Sequence, residues 1–576
     1  MKIRTVFLHN FRSVKETKIE LENYSLLVGE NNAGKTNVIT ALRIFYEDHG
    51  VKFDENRDFP KFTTDDDESW IELEFLTTTE EQANLKEDYK SKDNVLRVRR
   101  YLKSDQHVKS SQSNIYGYEN GTLSTNLFYG AKNISQAKLG KVIYIPDVST
   151  TNDALKLSGP SPFRDMVNFV FKKVVSRSQT FKSLNSIIDQ FNSDFMAESS
   201  EDGISMNALK DEINRDLNSW GVDFGMKVNQ LQPQEIVKSL FSYYLVDRSL
   251  SKDVDINSLG QGLQRHLIYT LIKLSSEYVE KGEGGKTDFS PDFTLLLFEE
   301  PEAFLHPSQQ IQLNISLNKL ASEENQQILI STHSPTFVSK NIDGLRSLLS
   351  VKKQNAVTNI FQLRSEDVDK LLNDNYSLFK VFSEILKDEK MEPSLKNKIE
   401  KRKLGERTFD IDKKLEEEAL KYFMWLDAER AASFFAKHVI ICEGTTEKVA
   451  FEYLLNSSLS DYVERHIYIL DSMGKFNLHR YMNLFGKLGI THSVLYDRDD
   501  DNDIQKIVND FITSTKNNYT RKICTFDSDF EKFLEIEKVS RKDLKPLNVL
   551  KKLKDSEVSP KKIKELRYMF DELCKF

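Results

Sequence analysis

With 576 residues, 39% of them hydrophobic and 30% charged, and a formal net charge of −8, the chain has material for three or four soluble domains. The acidic balance excludes a uniformly basic nucleic-acid coat, and no apolar run reaches the roughly 20 residues of a membrane-crossing helix. Three cysteines, Cys442, Cys524 and Cys574, are too few for a disulfide framework or a zinc cluster, so the expected compartment is the reducing cytoplasm, and without such an apolar run no membrane partner is expected.

In chain order, residues 2–8 read as a strand and not as a secretory leader. Residues 22–28 predict a second strand. It runs into the glycine loop Gly29-Glu30-Asn31-Asn32-Ala33-Gly34-Lys35-Thr36. Residues 35–46 predict a helix with Val38, Ala41, Leu42 and Phe45 on one face. Strands follow at 70–75 and 95–102. Residues 161–250 have a polar helical pattern without a chemical motif and predict an inserted helical arm for packing or dimerisation. Residues 281–286 predict a glycine-rich surface loop. An α/β pattern returns over 251–350, with strands at 294–298 and 327–332. Residues 365–430 predict charged connecting helices. From residue 437 a second α/β pattern has strands at 438–442, 466–470 and 492–496. The last segment, 541–576, holds 11 Lys and Arg against 6 Asp and Glu, a local net of +5. The expected domains are 1–160, 161–250, 251–350, 351–436 and 437–576.

The loop fits G-x-x-x-x-G-K-[ST]. Its glycines let the backbone N–H groups of Gly29, Asn31, Asn32, Ala33 and Gly34 face phosphates at a helix N-terminus. Lys35 reaches the β and γ phosphates, and Thr36 places a hydroxyl on Mg²⁺. At the end of strand 294–298, Glu299 is expected to serve the metal and Glu300 the attacking water. His333 follows strand 327–332 and can meet the γ-phosphate. The turn with Gly260 and Gly262 opens a helix and can offer N–H groups to a second protomer's nucleotide.

Three later strands deliver acids at their C-terminal ends, where open α/β sheets carry sites. Glu443 and Glu447 follow the first, Asp471 the second, and Asp497, Asp499 and Asp501 the third. Clustered carboxylates repel unless cations join them, and oxygen-only ligands favour Mg²⁺ or Mn²⁺. A pair of such ions suits phosphodiester displacement.

The segments Asn10-Phe11-Arg12-Ser13, Gly29 to Thr36, Glu299-Glu300-Pro301-Glu302 with Leu305-His306-Pro307, and Ser331-Thr332-His333-Ser334-Pro335 resemble those of ABC/SMC-type ATPases, and more closely the OLD (overcoming lysogenization defect) family. The set Glu443-Gly444-x-x-Glu447 with Asp497-x-Asp499 resembles a Toprim domain. Two departures stand out. Glu299 replaces the Asp of the broader ABC class, and the turn at 260–264 is not Leu-Ser-Gly-Gly-Gln. The implied fold is α/β: an ABC-type P-loop ATPase domain with a helical insert, then a parallel-sheet, Rossmann-like Toprim domain. The resemblance adds Arg12 to the nucleotide-binding set. It assigns metal or acid/base roles to Glu443, Glu447, Asp497 and Asp499, with Asp501 assisting. It matches Gly474 and Lys475 to a glycine turn, and Asp529 and Glu531 to a second metal site. Lys562, or Lys561 beside it, would be a lysine that stabilises transition-state charge.

That family implies a DNA endonuclease dependent on Mg²⁺ or Mn²⁺, regulated by ATP, acting in bacterial anti-phage defence as a dimer or tetramer. Implied partners are DNA and either a UvrD-like helicase (the Gabija arrangement) or a retron reverse transcriptase with its small DNA. Primases of the Toprim class carry a zinc module that three scattered cysteines cannot build. Two alternatives stay open: an ATP-gated DNA-binding or toxin-like effector silenced by a partner, and an SMC-like structural ATPase with a decayed Toprim fold.

Overall fold

Ile3, Val6 and Leu8 all turn inward from the strand Lys2–Phe11 because a bulge between Ile3 and Thr5 resets the two-residue alternation. This strand pairs with Val14–Glu20 on one side and Ser69–Leu76 on the other. The antiparallel sheet continues through Val95–Lys103, Ile115–Glu119 and Thr122–Leu127. The computed structural model describes residues 1–133, 137–146, 198–225, 244–248, 251–255, 293–339, 342–500 and 502–575, with scattered positions between them. These fall into two units, Met1–Asp147 with Gly285–Phe576, and Val148–Gly284.

A second six-stranded sheet carries the phosphate loop. Its order is Val357–Gln362, Leu348–Gln354, Tyr24–Val28, Gln326–Ser331, Thr294–Glu299 and Lys141–Ile145. All pairs are parallel except the first. Apolar runs such as Leu295–Phe298 are buried throughout, as strands covered on both faces must be. The expected helical connector from residue 351 begins instead inside a strand. Leu349 and Val351 are buried beside the phosphate-loop strand, and a polar Lys-Lys-Gln-Asn turn masks a hairpin. Helices follow at Ser365–Lys387, Pro393–Lys401 and Ile411–Trp425.

The last sheet has the order Ile467–Asp471, His438–Cys442, His492–Asp497, Thr520–Phe526, every pair parallel. The fourth strand escapes sequence reading because Arg521 and Lys522, near its start, are charged and exposed. Most of the arm expected over 161–250 lies outside the described residues, as does the 281–286 loop. Within Val148–Gly284 the described parts include the helix Met206–Leu217, capped by Ser205, and a hairpin of Leu245–Asp247 with Lys252–Val254.

One buried ion pair fixes the connector to the last sheet. Arg480 donates to both oxygens of Glu418, each at 2.7 Å. Burial alone would raise the Glu418 carboxyl; Arg480 and Lys421 outweigh it and hold it near 2. Its folded value lies below its unfolded one, so its stabilisation is present above about pH 4.5 and is lost as pH falls toward 2. Arg480→Met strands a buried carboxylate and is expected to cost about 3 kcal/mol in urea unfolding. The double replacement Glu418→Met with Arg480→Met should recover most of that loss. An unchanged urea midpoint in the single variant would contradict this account.

Candidate functional site

The phosphate loop joins the central strand Tyr24–Val28 to the helix Lys35–Tyr46. Two of its glycines are sterically required. Gly29 and Gly34 have φ of +149° and +112°, and a Cβ on either would overlap the Val351 carbonyl oxygen or the Thr358 hydroxyl. Thr358, on the hairpin strand, donates to the Ala33 carbonyl at 2.7 Å and so closes the loop from behind. Lys35 donates to the carbonyls of Gly29 and Glu30, both at 2.9 Å. Burial lowers its ammonium to about 8 against the pull of Glu300, Glu302 and Glu30.

A cavity of about 710 Å³ opens on this loop. It gathers Arg12, Asn31, Asn32, Gly34, Lys35, Thr36, Glu299, Glu300 and His333. Gly29 and Ala33 contribute backbone to the loop. Arg12 is braced by Asp58 at 2.9 Å. Glu299 ends its strand with one oxygen accepting from Tyr144 at 2.5 Å, while its Oε1 is buried without a hydrogen-bond partner. A buried, unsatisfied carboxylate oxygen in the cavity that Thr36 also lines fits a cation site. Glu300 has a left-handed φ of 43° and stands 3.5 Å from the His333 ring. Burial and then Lys35 hold that imidazole down at about 4, so it is neutral near pH 7.

Two residues here were given no role by the sequence reading. Glu302 accepts from the Thr332 hydroxyl (2.8 Å) and from the N–H groups of His333 (2.6 Å) and Ser334 (3.1 Å), so it shapes the histidine turn. Tyr144 comes from a strand that no motif marks. Gly260 and Gly262 belong to the Val148–Gly284 unit, where Gly262–Gln264 is helical.

At the last sheet, Glu443 follows its strand directly and Asp497 is the last residue of the neighbouring one. The Asp497 N–H donates to Glu443 Oε2 at 3.3 Å. Glu447 turns back to accept from the Gly444 N–H at 3.1 Å, capping its own helix. Gly474, at φ +111°, donates its N–H to the Glu443 carbonyl at 2.7 Å. Lys475, 2% exposed, donates to the Asp497 and Arg498 carbonyls.

The charges here are poorly compensated. Burial, then Glu447, Glu443, Asp499 and Asp529, pushes Asp497 up to about 9. Burial raises Glu447 to about 7 and raises Glu443 as well, the latter against the pull of Lys475. Asp497 Oδ1 and Glu531 Oε1 are buried without hydrogen-bond partners. Asp529 caps the helix Phe530–Phe533 and pairs with Lys538 at 2.9 Å. Among the described residues no three His, Cys, Asp or Glu side chains form a ready-made metal cage. Repelling carboxylates with orphaned oxygens still match a hard divalent cation. Asp501 lies outside the described residues.

The lysine expected from the C-terminal segment is not brought to these acids. Lys562 pairs with Glu565 at 2.8 Å and Glu535 at 3.7 Å. Lys545 takes the place beside them, 2.9 Å from Glu531. It heads the helix Lys545–Lys554, where a basic surface run hid it.

Comparison with known proteins gives two family matches: AAA ATPase domain over residues 1–338, and overcoming lysogenization defect protein-like TOPRIM domain over residues 434–499. The Old nuclease of Escherichia phage P2 is 25% identical over 360 residues, 59% of this chain. The match spans only 57% of that nuclease. The endonuclease GajA of Bacillus cereus (strain VD045) is 23% identical over 519 residues, 87% of this chain and 75% of its own. Among solved structures, the SMC head domain from Thermotoga maritima aligns with 63% of this chain and all of its own at a TM-score of 0.30 and 14% identity.

Proposed function

This chain belongs to the AAA ATPase domain family and carries an overcoming-lysogenization-defect-like TOPRIM domain, and from that membership we propose a DNA endonuclease, dependent on Mg²⁺ or Mn²⁺ and controlled by ATP, that serves bacterial defence against phage. One observation supports the cutting role above all others. Buried carboxylates with orphaned oxygens meet at the C-terminal ends of parallel strands, with Asp497 pushed up to about 9. The names of the phage P2 and GajA relatives agree with it. Glu443, Glu447, Asp497 and Asp499 would hold one divalent ion and Asp529 with Glu531 a second. Bound there, such ions supply charge for the attacking and leaving oxygens of a phosphodiester.

The chain's own residues do the rest. Lys475 grips the main-chain carbonyls of Asp497 and Arg498 and so holds the backbone that carries that carboxylate. Lys545 balances Glu531 and stands where negative charge grows. Raised carboxyls at Glu447 and Asp497 mean that ions and protons compete for the same oxygens, so loading favours higher pH. Self-association into a dimer or tetramer and an operon partner belong to the same proposal.

Plasmid cleavage by the wild type, Glu443→Ala and Lys35→Ala, each with and without ATP, tests the scheme. Cutting should vanish in the first variant, and only its response to ATP should change in the second. Wild type that binds DNA yet leaves plasmid intact in both metals would favour a silenced binding effector instead. The lysine assignment has its own test: Lys545→Ala should slow cutting by about a hundredfold, the loss typical of an electrostatic stabiliser, whereas Lys562→Ala should leave the rate nearly unchanged.

A further inference from the structure

A second cavity, of about 650 Å³, lies where the phosphate loop meets the C-terminal sheet. Its lining includes four basic side chains, Lys352, Lys353, Lys437 and Arg521, against one acid, Glu30. Lys352 is 9% exposed and donates to the Ala436 carbonyl at 3.0 Å. Burial lowers its ammonium to about 8 in spite of Glu30. Four cations around one hollow repel each other, and an anion with several oxygens relieves that repulsion. Mixed lysine and arginine donors suit phosphoryl oxygens.

The placement gives such an anion leverage. Lys437 immediately precedes the strand that leads to Glu443, and Thr491, also in the lining, precedes the strand that ends at Asp497. Arg521 lies near the start of the strand leading toward Asp529. The cavity therefore grips the starts of the strands whose far ends bear the acids, roughly 17–20 Å away at about 3.3 Å per residue. It also shares Asn31, Asn32 and Lys353 with the nucleotide cavity.

We propose that this junction cavity is a second phosphate site, beside the nucleotide cavity with which it shares Asn31, Asn32 and Lys353, that takes the polyphosphate of a free nucleotide or the phosphates of a DNA strand. Calorimetric titration of inorganic tripolyphosphate, without metal, into the Lys35→Ala chain tests it. One saturable site is expected, weakened about tenfold or more when Lys437→Ala and Arg521→Ala are added, since bonds to charged groups are lost. Both side chains are exposed, and an unchanged melting temperature confirms that the variants fold. A thymidylate decamer added as competitor separates the sources: displacement of tripolyphosphate points to DNA, and no displacement to a free nucleotide. In the wild type the same two substitutions should abolish one of two binding steps and leave the other. Failure of both probes to bind the Lys35→Ala chain, or binding indifferent to Lys437 and Arg521, overturns the proposal. Either failure leaves the cutting site untouched, because none of these residues belongs to it.

Discussion

Asp497→Asn is expected to raise the melting temperature of the metal-free chain at pH 8 while it lowers plasmid cutting by a hundredfold to about a thousandfold. The two effects have one cause. The folded Asp497 carboxyl sits near 9, driven there by burial and by Glu447, Glu443, Asp499 and Asp529. In the unfolded chain it titrates near 3.8. Between those values the folded state holds the proton more tightly, so the contribution to stability is whole below about pH 3.8 and is lost as pH rises through about 9. At pH 8 the wild type therefore bears strain that a neutral amide of the same shape removes. The gain should be on the order of 1–3 kcal/mol, since neighbouring groups relax. Added Mn²⁺ should stabilise the wild type through mass action and the variant much less. A variant that melts below the wild type in the absence of metal would show that the carboxylates are not in conflict.

That conflict was legible in the sequence only as spacing. Acids after three apolar runs pointed to one end of a parallel sheet, and the structure gathers Glu443, Glu447 and Asp497 there. The residues that answer them were not legible. Lys538 and Lys545 reach Asp529 and Glu531 from a lysine-rich stretch of chain in which each lysine looks like solvated surface. The family resemblance pointed to Lys562, although its partners, Glu565 and Glu535, are acids outside the cluster. In the ATPase half the loop, Glu299 and His333 followed from local motifs. Tyr144 and Thr358 did not, because each acts through a strand neighbour far away in the chain. The hairpin of Leu348–Gln354 with Val357–Gln362 was hidden for a similar reason. Only pairing beside Tyr24–Val28 explains why Leu349 and Val351 are apolar.

Lys35→Ala should weaken ATP binding by about a hundredfold or more. The ammonium now donates to the Gly29 and Glu30 carbonyls, so the loop itself holds it inside the cavity. A phosphate arriving there exchanges those neutral acceptors for charged oxygens, at about 1.5–3 kcal/mol for each hydrogen bond to a charged group. Two such bonds correspond to a hundredfold or more in Kd. His333 does not take over that charge, because burial, the larger cause of its lowered value, keeps the imidazole neutral without the lysine. Burial holds the lysine near 8, so wild-type affinity should fall as pH rises above about 8 and the variant should lack that slope. Phe435 stands 6.3 Å from the His333 ring and three residues before the strand His438–Cys442, so it lies between the nucleotide cavity and the strand that leads to Glu443. If ATP alters cutting through that contact, Phe435→Ala should bind ATP as the wild type does and yet cut at a rate that ATP no longer changes. Fluorescent-nucleotide titration beside plasmid cleavage measures both halves, and an ATP response that survives in Phe435→Ala would place the coupling elsewhere.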